Sequence, residues 1–151
     1  MPDYANGKVY AIRSYQTDQI YIGSTVEKLS ARMGKHRSSY KRFKAGTGKF
    51  TTSFRMLEFP DVYIELIENF PCACRGELER VEGQHIRAEP NAVNKNIVGR
   101  TSAEYYQDNL EKIKQYRQDN AEKIKDYQKK YRQDNAEKIK DRRKQYLLGV
   151  V

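Results

Sequence analysis

Two tyrosines, an arginine and a histidine lie close together near the start of the chain. Residues 8–36 contain Tyr10, Tyr21, Arg32 and His36. A guanidinium group can bind a phosphate through its planar set of N–H donors. A phenol or an imidazole can accept or donate a proton during a reaction. These residue types together are suited to phosphodiester hydrolysis, provided that the fold brings them to one place.

The segments around the two tyrosines have the composition of a β-hairpin. Two short runs rich in Val, Ile and Tyr flank four polar residues. We expect strands at residues 8–15 and 19–24. The polar residues 16–19 would form a loop longer than the favoured two-residue turns.

A helix is predicted directly after the hairpin, over residues 26–44. Ser24 or Thr25 can cap its first turn. Arg32 and His36 are four residues apart, so they project from one face of this helix.

The same helix opens a strongly basic stretch. Residues 28–55 contain nine basic residues and no acidic residue. A solvated helix face normally mixes charges of both signs, and a polyanion would relieve the repulsion within an unmixed run. The net charge of +9 points to the same kind of partner. We therefore predict nucleic-acid contacts, with plain solubility as the alternative, for Lys28, Lys35, Arg37, Lys41, Arg42, Lys44 and Lys49.

A carboxylate stands beside the apolar stripe of a second predicted helix. The sequence predicts a third strand at residues 62–67, and the second helix follows it at residues 73–88. An acidic side chain such as Glu82 is costly beside apolar neighbours unless a cation pairs with it. Two interpretations stay open, a salt bridge to Arg75 or Lys95 and a metal-binding role.

Taken in order, these motifs resemble the signature of the GIY-YIG nuclease family. Tyr21-Ile22-Gly23 is similar to the second triplet of that signature, and Val9-Tyr10-Ala11 stands in the place of the first. The pattern Leu78-x-x-x-Glu82-x-x-x-Ile86 resembles the helix that carries the metal-binding glutamate of the family. The resemblance covers residues 6–97. Single positions of the family's motif are matched by Arg32, His36, Glu82 and Asn94.

The resemblance implies a metal-dependent DNA endonuclease. Tyr10 would be the general base, supported by Tyr21, and Arg32 would bind the phosphate. Glu82 would bind Mg²⁺ or Mn²⁺. His36 would form a hydrogen bond to a tyrosine or to the phosphate. Asn94 would orient Glu82 or a neighbouring loop.

The sequence departs from the family pattern at two places. The first triplet is not a strict Gly-Ile-Tyr, and Ser24 stands where some members carry a lysine. If a second cation is needed at the phosphate, Lys28 or Lys35 must supply it.

Three copies of a short charged repeat occupy the last third of the chain. QDNLEKIK at residues 107–114 recurs as QDNAEKIK at residues 118–125 and 133–140. No Gly or Pro interrupts this region, and each copy places Asp four residues before Lys, which favours helix. The Asp-Asn pairs could also cap separate helices. A spacer arm, a DNA-tracking helix and a partner-binding or coiled-coil helix all remain open.

The predicted architecture is α/β (α+β), with a small three-stranded antiparallel sheet flanked by helices and a long C-terminal helical extension. We expect a nuclease domain over residues 1–99 and the extension over residues 100–151. Double-stranded DNA is the predicted partner, a homodimer stays open, and no small-molecule cofactor is expected. The extension favours a homing or mobile-element enzyme. The alternative is a non-catalytic nucleic-acid-binding protein.

The sequence also predicts an intracellular protein, in the cytoplasm or the nucleus. It carries no recognisable secretion signal and no segment apolar enough for a membrane span. Cys72 and Cys74 are too close together to join distant parts of a fold, so we expect reduced thiols.

Overall fold

The computed structural model describes residues 2–147 and divides the chain into two compact units. The first unit ends at Thr101 and contains a sheet and three α-helices, whereas the second begins at Ser102 and is helical. No helix among residues 2–147 combines the length and apolar character that a membrane span requires.

The first unit is built on a three-stranded antiparallel sheet, as predicted. Its strands are β1 (Lys8–Ser14), β2 (Thr17–Thr25) and β3 (Tyr63–Asn69), in the order β2-β1-β3. The central strand β1 is buried on both faces, since residues 9–12 are all enclosed. Helices flank this sheet, which confirms the predicted α+β class.

The hairpin turn is shorter than the sequence suggested. Residues 15–16 form a two-residue turn, and the predicted loop at residues 16–19 is wrong because Thr17 already pairs with Ser14. The carboxylate of Asp61 accepts hydrogen bonds from Ser14 Oγ, at 2.5 Å, and from the backbone N–H of Tyr15, at 3.1 Å. A residue far along the chain therefore fixes the turn.

Three helices complete the first unit: α1 (Leu29–Lys44), α2 (Phe54–Leu57) and α3 (Arg75–Ala88). Helix α1 begins three residues later than predicted, and its N-cap position is Lys28 rather than Ser24 or Thr25. Both predicted caps have other partners. Thr25 Oγ1 accepts the N–H of Glu27 at 3.1 Å, which shapes the connection ahead of the helix.

The hydrophobic core consists of two clusters on opposite faces of β1. Alternate side chains of a strand point to opposite faces, so Tyr10 and Ile12 belong to one cluster, and Val9 and Ala11 to the other. The first cluster also contains Met33, Phe54, Met56 and Leu57. The second also contains Ile20, Ile22 and Ile86. Complete burial of one such large apolar side chain stabilises a fold by roughly 1.5–3 kcal/mol.

The second unit contains four helices: α4 (Ser102–Asp108), α5 (Leu110–Asp119), α6 (Ala121–Asp134) and α7 (Ala136–Leu147). None of its described residues, 102–147, is buried. The last four residues of the predicted extension, 148–151, lie outside the described residues.

The repeated asparagine marks every helix junction in this unit. Nδ2 of Asn109, Asn120 and Asn135 donates to the carbonyl four residues back, at 2.8, 2.9 and 2.9 Å. Each repeat thus ends one helix at its Asp and begins the next after its Asn. The predicted Asp–Lys pairs span these junctions instead of lying within one helix.

Candidate active site

A buried phenol joins the hairpin to α1. Tyr10 is 0% exposed, at the centre of β1. Its hydroxyl accepts a hydrogen bond from Nε of Arg32 at 2.9 Å and lies 2.8 Å from Nε2 of His36. Because Arg32 and His36 are one turn apart on α1, both reach the same oxygen. The structure therefore brings three of the predicted site residues together.

The imidazole of His36 is neutral at pH 7. Burial and, to a smaller extent, the positive charge of Arg32 lower the pKa of His36 to about 4. The other ring nitrogen, Nδ1, lies 3.1 Å from Oγ of Ser53. With Arg32 donating to Tyr10, the phenolic proton is directed to Nε2 of His36, so Nδ1 carries the imidazole proton and donates to Ser53.

Both phenols of the hairpin hold their protons more tightly than free tyrosine. Burial raises the pKa of Tyr10, while Arg32 opposes this shift and Glu82 adds to it. Burial also raises the pKa of Tyr21, with further contributions from Tyr10 and Glu82. Tyr21 is half-buried, and its ring meets His36 edge-on with centroids 5.6 Å apart.

Glu82 is held by a hydroxyl group rather than by a cation. Ser24 donates a hydrogen bond through Oγ to Oε2 of Glu82 at 2.5 Å. Burial raises the pKa of the Glu82 carboxyl group, and the bond from Ser24 offsets part of this shift. Among the described residues no ion pair joins Glu82 to Arg75 or Lys95, and Arg75 pairs with Glu79 at 2.6 Å. The salt-bridge interpretation of Glu82 is therefore wrong.

Asn94 holds a loop against β2 and does not hydrogen-bond to Glu82. Its Oδ1 accepts the N–H of Ile22 at 2.9 Å, and its Nδ2 donates to the carbonyl of Ile22 at 2.8 Å. The backbone of Val93 adds a bond to Ile20 at 2.8 Å. Of the two roles predicted for Asn94, the geometry matches the orientation of a neighbouring loop.

Two clefts open beside Glu82, and this carboxylate lines both of them. The first, here the Arg32 cleft, has a volume of about 720 Å³. The second, here the Phe50 cleft, has a volume of about 850 Å³. Side chains relevant to chemistry in the Arg32 cleft are Ser24, Arg32, Lys35, Arg75, Glu79 and Glu82. Those in the Phe50 cleft are Tyr21, Phe50, Arg55, Glu82, Asn94 and Lys95.

The basic residues predicted to bind nucleic acid lie on the surface. Lys35 lines the Arg32 cleft and pairs with Glu27 at 2.5 Å. Lys44 lies over the ring of Tyr40, with Nζ 5.6 Å from the centroid. The exposed members of the predicted set are Lys28, Lys35, Arg37, Lys41, Arg42, Lys44 and Lys49.

Three residues of this site carried no functional prediction from the sequence. For Ser24 the sequence predicts only a helix cap and shows a departure from the family pattern, and Ser53 lies in a Thr-Thr-Ser run with no evident motif. Gly23 belongs to the matched triplet, and the structure gives a steric reason for glycine at this position. A Cβ atom on Gly23 would lie 2.6 Å from the Tyr10 hydroxyl oxygen.

The donor set fits one class of metal ion. No group of three or more His, Cys, Asp or Glu side chains that could hold a metal occurs among residues 2–147, so a structural zinc site is not formed there. Mg²⁺ commonly uses one or two carboxylates, with water and substrate phosphate completing its coordination. The carboxylate of Glu82, at the edge of two open clefts, fits that requirement.

Comparison with known proteins gives no match. A scan against models of protein families and searches for similar curated proteins and solved structures all find none.

Proposed function

We propose that this protein is a metal-dependent DNA endonuclease of the GIY-YIG type. One observation carries the proposal. Arg32 of α1 and Glu82 of α3 line one cleft, and Arg32 is hydrogen-bonded to the hairpin phenol Tyr10, which also contacts His36. The four groups match the order and the chemistry of the family's motif.

Phosphate binding is assigned to Arg32. Its Nε–H donates to Tyr10, and Arg32 lines the same cleft as Glu82. A guanidinium group held at Nε presents its remaining N–H groups as a fixed pair of donors for phosphate oxygens. Mg²⁺ or Mn²⁺ bound at Glu82 would supply positive charge at the phosphate and at the leaving oxygen.

Proton transfer is assigned to Tyr10 and His36 acting together. The attacking water gives its proton to the Tyr10 oxygen as Tyr10 passes its own proton to Nε2 of His36, 2.8 Å away. At pH 7 the imidazole of His36 is neutral, so its Nε2 lone pair is free for the proton, while burial and the charge of Arg32 make this imidazole a weaker base than free histidine. Tyr10 is closed to solvent in this structure, so water must enter beside the Arg32 guanidinium when substrate binds. Catalytic hydrogen bonds often reach their working geometry only in the substrate complex.

A DNA-binding role is proposed for the second unit. None of its described residues is buried, and Lys and Arg occur in every helix from α5 to α7. Contacts to phosphates by such side chains position a protein on DNA without reading its sequence. Together with the nuclease unit this extension favours a homing or mobile-element enzyme. A spacer and a partner-binding helix are the competing roles.

The competing function is a non-catalytic nucleic-acid-binding protein. The closure of Tyr10 is the observation that favours it, since a base that never meets water catalyses nothing. Such a protein would bind DNA through its basic surface and leave Glu82 without a role.

Cleavage of plasmid DNA in Mg²⁺ or Mn²⁺ tests the proposal. Wild-type protein should nick or linearise the plasmid. Glu82→Gln should lose at least about a hundredfold in rate, as expected when the charge that supports transition-state stabilisation is removed, and should keep DNA binding. Glu58→Gln, at an exposed position outside both clefts, is the matched control. Intact plasmid with wild type, or equal rates for wild type and Glu82→Gln, would reject the proposal.

A further inference from the structure

The two clefts that meet at Glu82 differ in how their cations are engaged. In the Arg32 cleft, Lys35 pairs with Glu27 at 2.5 Å and Arg75 pairs with Glu79 at 2.6 Å. Four acidic residues line that cleft, Asp3, Glu27, Glu79 and Glu82. Most of the positive charge of the Arg32 cleft is therefore neutralised within the protein. Little positive charge is left there to bind a second phosphate.

The Phe50 cleft has the opposite balance. Arg55 and Lys95 both line it and are exposed, and neither forms an ion pair within residues 2–147. Glu82 is the only acidic residue among the described residues of its lining. Two unpaired cations facing one open volume form a site of net positive charge, which attracts a phosphate group.

An aromatic ring lies in the same cleft. Phe50 is 51% exposed. Its ring is anchored by edge contacts to Phe43 and Phe54, with centroids 5.7 and 5.9 Å away. A half-exposed ring that is held from one side has surface left for a planar partner, and every nucleobase has a face that can stack on it.

We infer that the Phe50 cleft binds the nucleotide next to the cleaved bond, with its base on Phe50 and its phosphate between Arg55 and Lys95. The inference rests on the proposed function, which places the cleaved bond at Glu82. A base can stack on Phe50 only when it has left the duplex stack. The preferred substrate is therefore DNA with an unpaired nucleotide at this position, such as a single strand, a gap or a fork.

Photocrosslinking to the full-length protein tests where the base lies. The probe is a single-stranded oligonucleotide carrying 5-iodouracil, bound without divalent metal so that no cleavage is needed. The crosslinked peptide should contain Phe50, and Phe50→Leu should remove it and weaken binding about tenfold. Tyr15→Leu is the control, because Tyr15 is a more exposed ring, at 82%, outside this cleft. Crosslinks that avoid Phe50 would overturn the inference.

Salt dependence of binding tests where the phosphate lies. Arg55→Gln and Lys95→Gln should each make the slope of log K against log salt shallower by about 0.7, the value for one single-strand phosphate contact. Arg75→Gln should leave the slope unchanged, because Arg75 is already paired with Glu79. Equal changes for Arg55→Gln and Arg75→Gln would refute the assignment.

These results separate the inference from the function on which it rests. A protein that cleaves plasmid but does not crosslink at Phe50 keeps the proposed function and loses the nucleotide site. A protein that crosslinks at Phe50 but never cleaves keeps the site and loses the nuclease activity.

Discussion

The hydroxyl oxygen of Tyr10 lies 2.8 Å from Nε2 of His36, at the buried junction of β1 and α1. Arg32 donates to the same oxygen, so the phenolic proton has His36 as its acceptor. In the proposed mechanism this pair forms one proton-transfer unit, in which the phenol meets the water and the imidazole takes the proton. Changes at either group, or at the atoms packed against them, should alter catalysis or stability.

Removal of the Tyr10 hydroxyl should abolish efficient cleavage without unfolding the protein. Tyr10→Phe keeps the buried ring, and a missing general base typically lowers kcat by about 10²–10⁴-fold. Steady-state cleavage of plasmid, with circular dichroism as a check of folding, measures the effect. Tyr15→Phe, on the exposed hairpin turn, is the control and should be unaffected. A Tyr10→Phe enzyme with normal kcat would exclude Tyr10 as the base.

The cleavage rate should rise with pH until Glu82 is ionised and then level off. Burial raises the pKa of the Glu82 carboxyl group, which would bind the metal in its ionised form. Below that raised pKa, log kcat/KM should increase by about one per pH unit, and above it the rate should be constant, because the proposed relay uses protonated Tyr10 and neutral His36. A pH–rate profile at saturating metal measures this slope. A rate that falls as pH rises from 7 to 9 would contradict these roles.

Protein stability should fall in acid because of His36. Its pKa is about 4 when folded and 6.5 when unfolded, so the unfolded chain binds more protons between these values. The stability contributed by neutral His36 is complete above pH 6.5 and is lost as pH falls toward 4, by up to about 3 kcal/mol. Urea unfolding of wild type and His36→Gln over this window measures the difference. If the free energy of unfolding changed with pH in the same way for both proteins, the burial of a neutral imidazole at His36 would be contradicted.

Two glycines give a matched pair of alanine substitutions. At Gly23 a new Cβ would lie 2.6 Å from the oxygen and 2.7 Å from Cζ of the buried Tyr10 ring, whereas nothing lies within 4 Å at Gly34 of α1. Gly23→Ala should cost about 1–3 kcal/mol of stability and reduce cleavage. Gly34→Ala should gain about 0.5–1 kcal/mol, because alanine favours a helix interior. Urea unfolding measures both, and equal effects would show that Tyr10 can move away.

Elements with a strong local pattern were predictable from the sequence. The alternating β-branched runs indicated the hairpin and the third strand, and helical spacing placed Arg32 and His36 on one face of α1. The position of Glu82 beside the apolar stripe of α3 also followed from spacing. These features depend on residues close in sequence, so a single sequence contains the information.

Contacts between distant segments were not predictable. The turn was wrong because Asp61 stabilises it from another part of the chain. The cap assignment was wrong because Ser24 lies in β2 and bonds to Glu82. The contact of Ser53 with His36 had no local signal. Such hydrogen bonds depend on the packing of whole elements, which residue spacing along one segment does not specify.

Deletion of the second unit should weaken DNA binding and leave the chemistry intact. A protein ending at Thr101 keeps both core clusters and all four groups of the proposed site, so its cleavage rate at saturating DNA should match that of the full chain. Its affinity should fall, and its salt slope should become shallower by about 0.9 for each duplex phosphate that the shortened protein no longer neutralises. Titration of labelled duplex DNA at several salt concentrations measures this. An unchanged slope would instead identify the repeat helices as a spacer or as a partner-binding segment.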